Sequence, residues 1–251
     1  MSFQDEHIWI IGASSGIGEA LARELAARGA TLILSARREE ELQTLNSELG
    51  GQHLVYPLDV ANNDQVTAAA QYISDTIERL DRVIVMAAVY RPNDINKMDI
   101  AFAKKQVDAN VMGTIHCSFA VLPIFDTQQS GQLVLCGSVA GYMGLPGGQP
   151  YCATKAAVNN FAEGLYAEVP DYVDIKLICP GFVRTRMTDK NNFHMPMRIE
   201  PDRAAKAITK GLKQRGFEIH FPKAFTLMMK FLRILPYSIA LKITRSMSGK
   251  A

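Results

Sequence analysis

Apolar residues follow two alternating patterns along the chain. Short, mostly apolar runs at His7–Ile11, Thr31–Ala36, His53–Leu58, Arg82–Ala87, Gln132–Gly137 and Asp174–Ile178 have the length and β-branched content of strands. Between them apolar positions recur three and four apart. That spacing predicts helices over Gly16–Arg28, Glu39–Leu49, Asn63–Arg79, Phe102–Phe125 and Tyr151–Glu168. Gly29 and Gly50-Gly51 supply helix stops. Strands that are apolar throughout are covered on both faces. Strand–helix alternation then predicts an α/β, doubly wound parallel sheet with helices on both sides. No Pro/Ser-rich linker, composition break or internal repeat divides residues 1–220, so one domain is predicted there, followed by an extension over 221–251.

Composition narrows the classes. The chain has 251 residues, 48% hydrophobic and 21% charged. Those proportions fit a globular protein and exclude disordered, collagen-like and disulfide-scaffold classes. With 27 Lys+Arg against 25 Asp+Glu the net charge is +2, so no nucleic-acid partner is expected. The sum hides an asymmetry. Phe221–Ala251 carries Lys223, Lys230, Arg233, Lys242, Arg245 and Lys250 and no acid, which leaves the body at −4. Cys117, Cys136, Cys152 and Cys179 form no C-x-x-C pair and sit in apolar runs, so they read as buried free thiols, with no metal site. The first residues include Asp5 and Glu6 and no basic segment before an apolar one, so a cytoplasmic location is expected.

The first predicted strand runs into Gly12-Ala13-Ser14-Ser15-Gly16-Ile17-Gly18 and then a helix. Glycines at such a turn let the backbone approach a pyrophosphate, whose charge meets the helix N-terminus. About 20 residues further on, where NAD sites usually place an acid for the ribose, the sequence is Ser35-Ala36-Arg37-Arg38. A guanidinium can grip a 2′-phosphate with a forked pair of donors, so NADP(H) is the expected cofactor. Asp59 follows the third strand and is placed to accept from the adenine amino group.

Tyr151 and Lys155 lie four apart at a helix start just after Pro150 and so share one face. A free tyrosine, with pKa near 10, is a poor base at neutral pH. An ammonium one turn away and the positive helix end both favour its anion. Ser138 closes a strand in Leu135-Cys136-Gly137-Ser138, where doubly wound sheets build their sites. Asn110 stands inside the long middle helix, a position that disfavours asparagine.

In this order the residues resemble the short-chain dehydrogenase/reductase family, in its compact single-domain branch. The likeness covers about 6–220 and includes Gly12, Gly16, Gly18, Asp59, Asn110, Ser138, Tyr151, Lys155 and Pro180-Gly181-Phe182-Val183-Arg184-Thr185. It implies a sheet of order 3-2-1-4-5-6-7 and a homodimer or homotetramer. It implies Tyr151 as general acid/base and Ser138 as the group that polarises the substrate oxygen. Lys155 would lower the tyrosine pKa and hold the nicotinamide ribose, and Asn110 would hold a water in a proton relay. Ser14, Ser15, Ile17 and Ala87 would border the dinucleotide with Pro180 and Gly181, and Val183 and Thr185 would meet the carboxamide. Two places depart from the family. Ile11 stands where a threonine usually ties the turn to the fourth strand, and Val85-Met86-Ala87-Ala88 replaces the usual N-N-A-G. An apolar contact can replace that polar one without stranding a polar group.

The resemblance places a substrate lid at about 186–200, where Met187, Phe193, Met195 and Met197 are apolar and adaptable. Tyr142, Met143 and Leu145 are expected to line the same pocket. A hydrophobic carbonyl or alcohol is the expected substrate. His7, His53, His116, His194 and His220 are scattered, with His194 the one inside the lid. The tail has no uncharged apolar stretch of about 18 residues for a spanning helix. At 100° per residue, however, Lys223, Lys230 and Arg233 gather within roughly 80°. Lys242 and Arg245 follow on a second short helix after Pro236. That pattern fits either a basic helix lying peripherally on an anionic membrane surface or a pair of helices covering the pocket or a subunit. The chain is therefore expected to be an NADP(H)-dependent oxidoreductase interconverting a carbonyl and a secondary alcohol. The alternative is a non-catalytic NADP(H)-binding sensor or scaffold.

Overall fold

A computed structural model describes residues 2–193 and 195–247. Seven parallel strands form one sheet in the order β3-β2-β1-β4-β5-β6-β7. They are β1 (His7–Ile11), β2 (Thr31–Ser35), β3 (Leu54–Val55), β4 (Arg82–Val85), β5 (Gly131–Cys136), β6 (Val173–Pro180) and β7 (Glu218–Phe221). The helices are α1 (Gly16–Ala26), α2 (Glu39–Glu48), α3 (Asn63–Thr76), α4 (Ile100–Val107), α5 (Gly113–Gln128), α6 (Tyr151–Glu168), α7 (Pro201–Leu212), α8 (Lys223–Ile234) and α9 (Tyr237–Ser246).

The period of two along β1 divides the core. Trp9 and Ile11 face one side, with Val66, Cys117, Val121, Phe125 and Val158 of the overlying helices. Ile8 and Ile10 face the other, with Leu21 and Leu25 of α1 and Ala204 and Ile208 of α7. The one polar atom on the Trp9 ring is satisfied, because Nε1 donates to Ser35 Oγ at 2.9 Å. The tail belongs to this core. Phe225, Met229 and Leu232 of α8 and Ala240 of α9 are buried in the first cluster. Each large apolar side chain so buried stabilises by about 1.5–3 kcal/mol.

The predicted boundaries hold to within a few residues for β1, β2, α1, α2 and α6. Three places differ more. The strand expected over His53–Leu58 is regular only at Leu54–Val55, at the sheet edge, although Tyr56 N and Leu58 N still donate to Leu34 O and Ala36 O at 3.0 Å. The helix expected over Phe102–Phe125 is longer at both ends and is interrupted by a π-turn at Asp108–Met112. Periodicity predicts no element at α7 or β7, the last helix and strand of the sheet layer.

Candidate active site

The parts of the site meet at the carboxyl ends of the strands. The turn after β1 is held against β4 by backbone hydrogen bonds and by Ile11, which shares a core cluster with Val85 and Ala87. Met86 and Ala87 N–H donate to Ile11 C=O at 2.7 and 2.9 Å, and Ile11 itself is fully buried. Gly12 has φ +103°, and a Cβ there would stand 2.6 Å from Ala87 N. A Cβ on Gly18 would stand 2.2 Å from Gly12 O. Only glycine fits either place. α1 then starts at Gly16, with Ser15 as its N-cap and the Ser15 hydroxyl uncommitted to capping.

A cleft of about 410 Å³ opens above this turn. It is bordered by Gly12, Ser14, Ser15, Gly16, Ile17 and Gly18 from the first turn, and by Arg37, Arg38 and Asp59 beyond β2 and β3. Ala87, Ser138, Tyr151 and Lys155 follow, then Pro180, Gly181, Val183 and Thr185 after β6. The structure thus brings the predicted dinucleotide residues to one cavity. Arg38 Nη2 donates to Ser14 Oγ at 3.1 Å, and Arg37 lies 3.9 Å from the Asp59 carboxylate. Both guanidinium groups stay partly solvated, so each ion pair is weak and replaceable.

Asn110 is fully buried but does not line the cleft. It sits in the π-turn, and its amide spans three partners. Oδ1 accepts from Val89 N at 2.7 Å, while Nδ2 donates to Val89 O at 3.0 Å and Thr154 Oγ1 at 3.1 Å. The extra residue of the π-turn rotates this side chain inward, as such turns often do at functional sites. Asn110 therefore pins the segment after β4 to the first turn of α6.

Ser138 caps a short 3₁₀ turn, its Oγ accepting from Ala140 N at 3.1 Å and donating to Pro180 O at 3.4 Å. Lys155 is 2% exposed, and its ammonium donates to Cys136 O at 2.7 Å. Burial lowers its pKa. The ammonium lies 5.8 Å from the Tyr151 ring centroid. Burial dominates at Tyr151 and drives its phenol above the usual range, with the Ser138 hydroxyl pulling the other way. The Lys155 ammonium is turned to the Cys136 carbonyl in this arrangement. A neutral Tyr151 is a proton donor, which suits reduction of a carbonyl.

Spacing along the chain gives no sign of one residue at the site. Tyr90 packs edge-on against Tyr151, ring centroids 4.8 Å apart, and donates its hydroxyl to Asn191 Oδ1 at 2.7 Å. Burial pushes its phenol up to about 12. It joins Tyr151 to the segment after β6, where Met187 borders the cleft. Phe193 packs edge-on against Phe182, which packs at a tilt against Phe225 of α8. Tyr142, Met143 and Leu145 do not border the cleft, contrary to expectation. Tyr142 and Met143 line a separate groove of about 670 Å³ between α6 and the tail helices. The Tyr142 hydroxyl turns away to Glu218, which is also paired with Lys230. His7, His53, His116 and His220 do not border the cleft. His194 lies outside the described residues.

The residues that match by spacing also match by family. The family described as short chain dehydrogenase fits residues 6–195. The chain belongs to the short-chain dehydrogenase/reductase family. An uncharacterised oxidoreductase of Myxococcus xanthus is 32% identical over 231 residues, covering 90% of this chain and 91% of that protein. Another from Staphylococcus aureus is 33% identical over 207 residues, covering 82% and 90%. In fold the chain is similar to a short chain dehydrogenase of Burkholderia cenocepacia in complex with NADP, at TM-score 0.84 and 23% identity, covering 100% of both chains. It is equally similar to a family member from Burkholderia phymatum in complex with NAD, at TM-score 0.84 and 23% identity, covering 92% and 93%.

Proposed function

We propose that the protein is an NADP(H)-dependent oxidoreductase that interconverts a carbonyl and a secondary alcohol on a small, hydrophobic molecule. The observation that carries the reading is the convergence of Ser138, Tyr151 and Lys155 on the same cleft as the glycine turn. The cradle fits a dinucleotide. The turn is shaped for close approach, and the α1 N-terminus and Ser15 hydroxyl are placed for a pyrophosphate. Arg37 and Arg38 favour the phosphorylated cofactor, and Asp59, which lies beside Arg37, accepts from the adenine. A bound nicotinamide supplies or accepts the hydride.

The chain's own residues do the rest. Ser138 donates to the carbonyl oxygen and orients it. Tyr151, kept neutral by burial, delivers the proton to that oxygen in reduction and removes it in oxidation. Lys155 holds the ribose side of the cleft and restores the tyrosine's charge balance after transfer. Asn110 fixes the Val89 backbone and the start of α6, so the two walls keep their separation. Fixed geometry and preplaced dipoles together supply the rate. The test is a panel of apolar aldehydes and ketones with NADPH and NADH, followed by absorbance of the reduced cofactor. Turnover with NADPH and little with NADH is expected. Tight NADPH binding without turnover on the whole panel would reject the enzymatic reading.

A further inference from the structure

We propose that α8 and α9 form a docking surface for an anionic membrane leaflet. α8 is apolar on two faces. Phe225, Met229 and Leu232 are in the core, while Leu227, Met228, Phe231 and Ile234 are exposed, Phe231 at 61% and Ile234 at 76%. At 100° per residue the four exposed side chains span roughly 120°. A surface helix of a globular protein puts polar residues there. α9 adds exposed Tyr237 and Leu241, which border the groove toward α6 together with Arg233, while Ala240 and Thr244 face inward. A contiguous exposed apolar surface rimmed by charge marks an interaction site.

The rim decides the occupant. Lys223 and Arg233 are exposed along one edge of α8, and Lys242 is exposed on α9. From Phe221 onward the chain has no acidic residue. Lys230 is the exception among the cations of α8, because Glu218 of β7 neutralises it from within. A second copy docked by a two-fold axis would place this patch on itself and bring the tail's cations together with no acid of the tail to meet them. A leaflet carrying anionic headgroups over hydrocarbon complements both the apolar face and its rim. The helices are already seated for this role. Lys230 and Phe225 anchor α8 through Glu218 and Phe182, so the outer face is presented on a fixed support. The long helical run Ile100–Gln128 is apolar enough to cross a membrane by length and composition, but it packs Cys117, Val121 and Phe125 into the core and is not the element proposed here.

The experiment is co-sedimentation of the full chain with phosphatidylcholine–phosphatidylserine vesicles and with phosphatidylcholine vesicles. Binding at least about tenfold stronger to the anionic vesicles is expected, falling as salt is raised. The triple variant Lys223→Glu/Arg233→Glu/Lys242→Glu should lose on the order of 100-fold in partitioning. Phe231→Asp/Ile234→Asp should lose tenfold or more with every cation in place. Both variants are expected to melt with the parent. Should either melt early, the salt series on the unmodified chain decides the matter. Protein left in the supernatant, binding that ignores lipid charge and salt, or folded variants that bind as the parent does would each overturn the proposal. So would a halved mass for Phe231→Asp/Ile234→Asp in sedimentation equilibrium, because the patch would then be a subunit contact.

Discussion

The cleft and the tail use apolar and polar residues in opposite ways. At the Tyr151 end of the cleft the polar groups are buried and partnered, Lys155 with Cys136 and Ser138 with Pro180, and behind them Asn110 is bonded to Val89 and Thr154. On the tail, large apolar groups face outward and the cations lie around them. A buried polar group left without its partner costs about 1–3 kcal/mol, so the cleft tolerates little change. An exposed apolar side chain costs the monomer almost nothing when removed. The two regions should therefore respond to substitution through different readouts: chemistry in the cleft, association on the tail.

The sharpest break lies at Tyr151. Tyr151→Phe keeps the ring against Tyr90 and removes only the proton-bearing oxygen. Turnover of a carbonyl substrate should fall by about 10²–10⁴-fold, with NADPH affinity within a factor of about three, because the loss is confined to proton transfer. Steady-state kinetics and cofactor titration separate the two. Next in size is the pair Arg37→Ala/Arg38→Ala. Loss of charge-assisted donors to a 2′-phosphate should weaken NADPH by about 10–100-fold and leave NADH nearly unchanged. Equal losses for both cofactors, measured by fluorescence titration, would break the assignment of these arginines.

Cleft and tail differ as much in what the chain alone reveals of them. β1 and α6 are legible because their signals are local: a continuous apolar run, and a proline before an amphipathic start. The cleft residues are legible because the family spacing fixes them along the chain, and the topology carries them to one end of the sheet. The π-turn at Asp108–Met112 is not legible, since one extra residue hardly disturbs a 3.6-residue pattern. Asn110 stands out as a poor helix former and through the family resemblance, not through the turn that carries it. Tyr90 leaves no local signal at all, because its partner Asn191 is 101 residues away. A place shortly before Tyr151 along the chain suggests a pocket role for Tyr142. Its hydroxyl instead answers to Glu218, on a strand that periodicity does not mark. The tail is visible only as charge and apolar content. Which of its faces is inside depends on packing against β7 and Phe182.

That packing gives the third test, within one helix. Leu232→Ala, on the inner face of α8, should destabilise by about 2–4 kcal/mol through a cavity in the core. Phe231→Ala, its exposed neighbour, should stay within about 0.5 kcal/mol. Urea midpoints measure both. Similar losses would mean that the outer face is packed against something in solution, and would move the tail from surface to core. A smaller effect is expected where the lid meets the cleft. Tyr90→Phe removes one hydrogen bond to Asn191, about 1 kcal/mol, and keeps the ring on Tyr151. KM should rise about fivefold with kcat little changed, because 1 kcal/mol of lid closure is a factor of about five in substrate retention.

The weakest expected effect belongs to the joint between the regions. Burial works to raise the Glu218 pKa, but hydrogen bonds from Lys230 and Tyr142 outweigh it and hold the carboxyl below its ordinary value of 4.5. A group depressed in the folded state stabilises above its unfolded pKa, and loses that contribution as pH falls through the folded value. Stability of the parent should therefore decline with this bridge only below about pH 4.5, and be level in this respect from there to neutrality. Glu218→Gln keeps an acceptor for Tyr142 and cannot titrate. Its urea midpoint should lie below the parent's at neutral pH, and the two should converge as the medium is acidified. Parallel curves down to the acid limit would show that Lys230 does not fasten α8 through this carboxylate. The fixed support for the tail would then rest on Phe225 and its apolar neighbours alone.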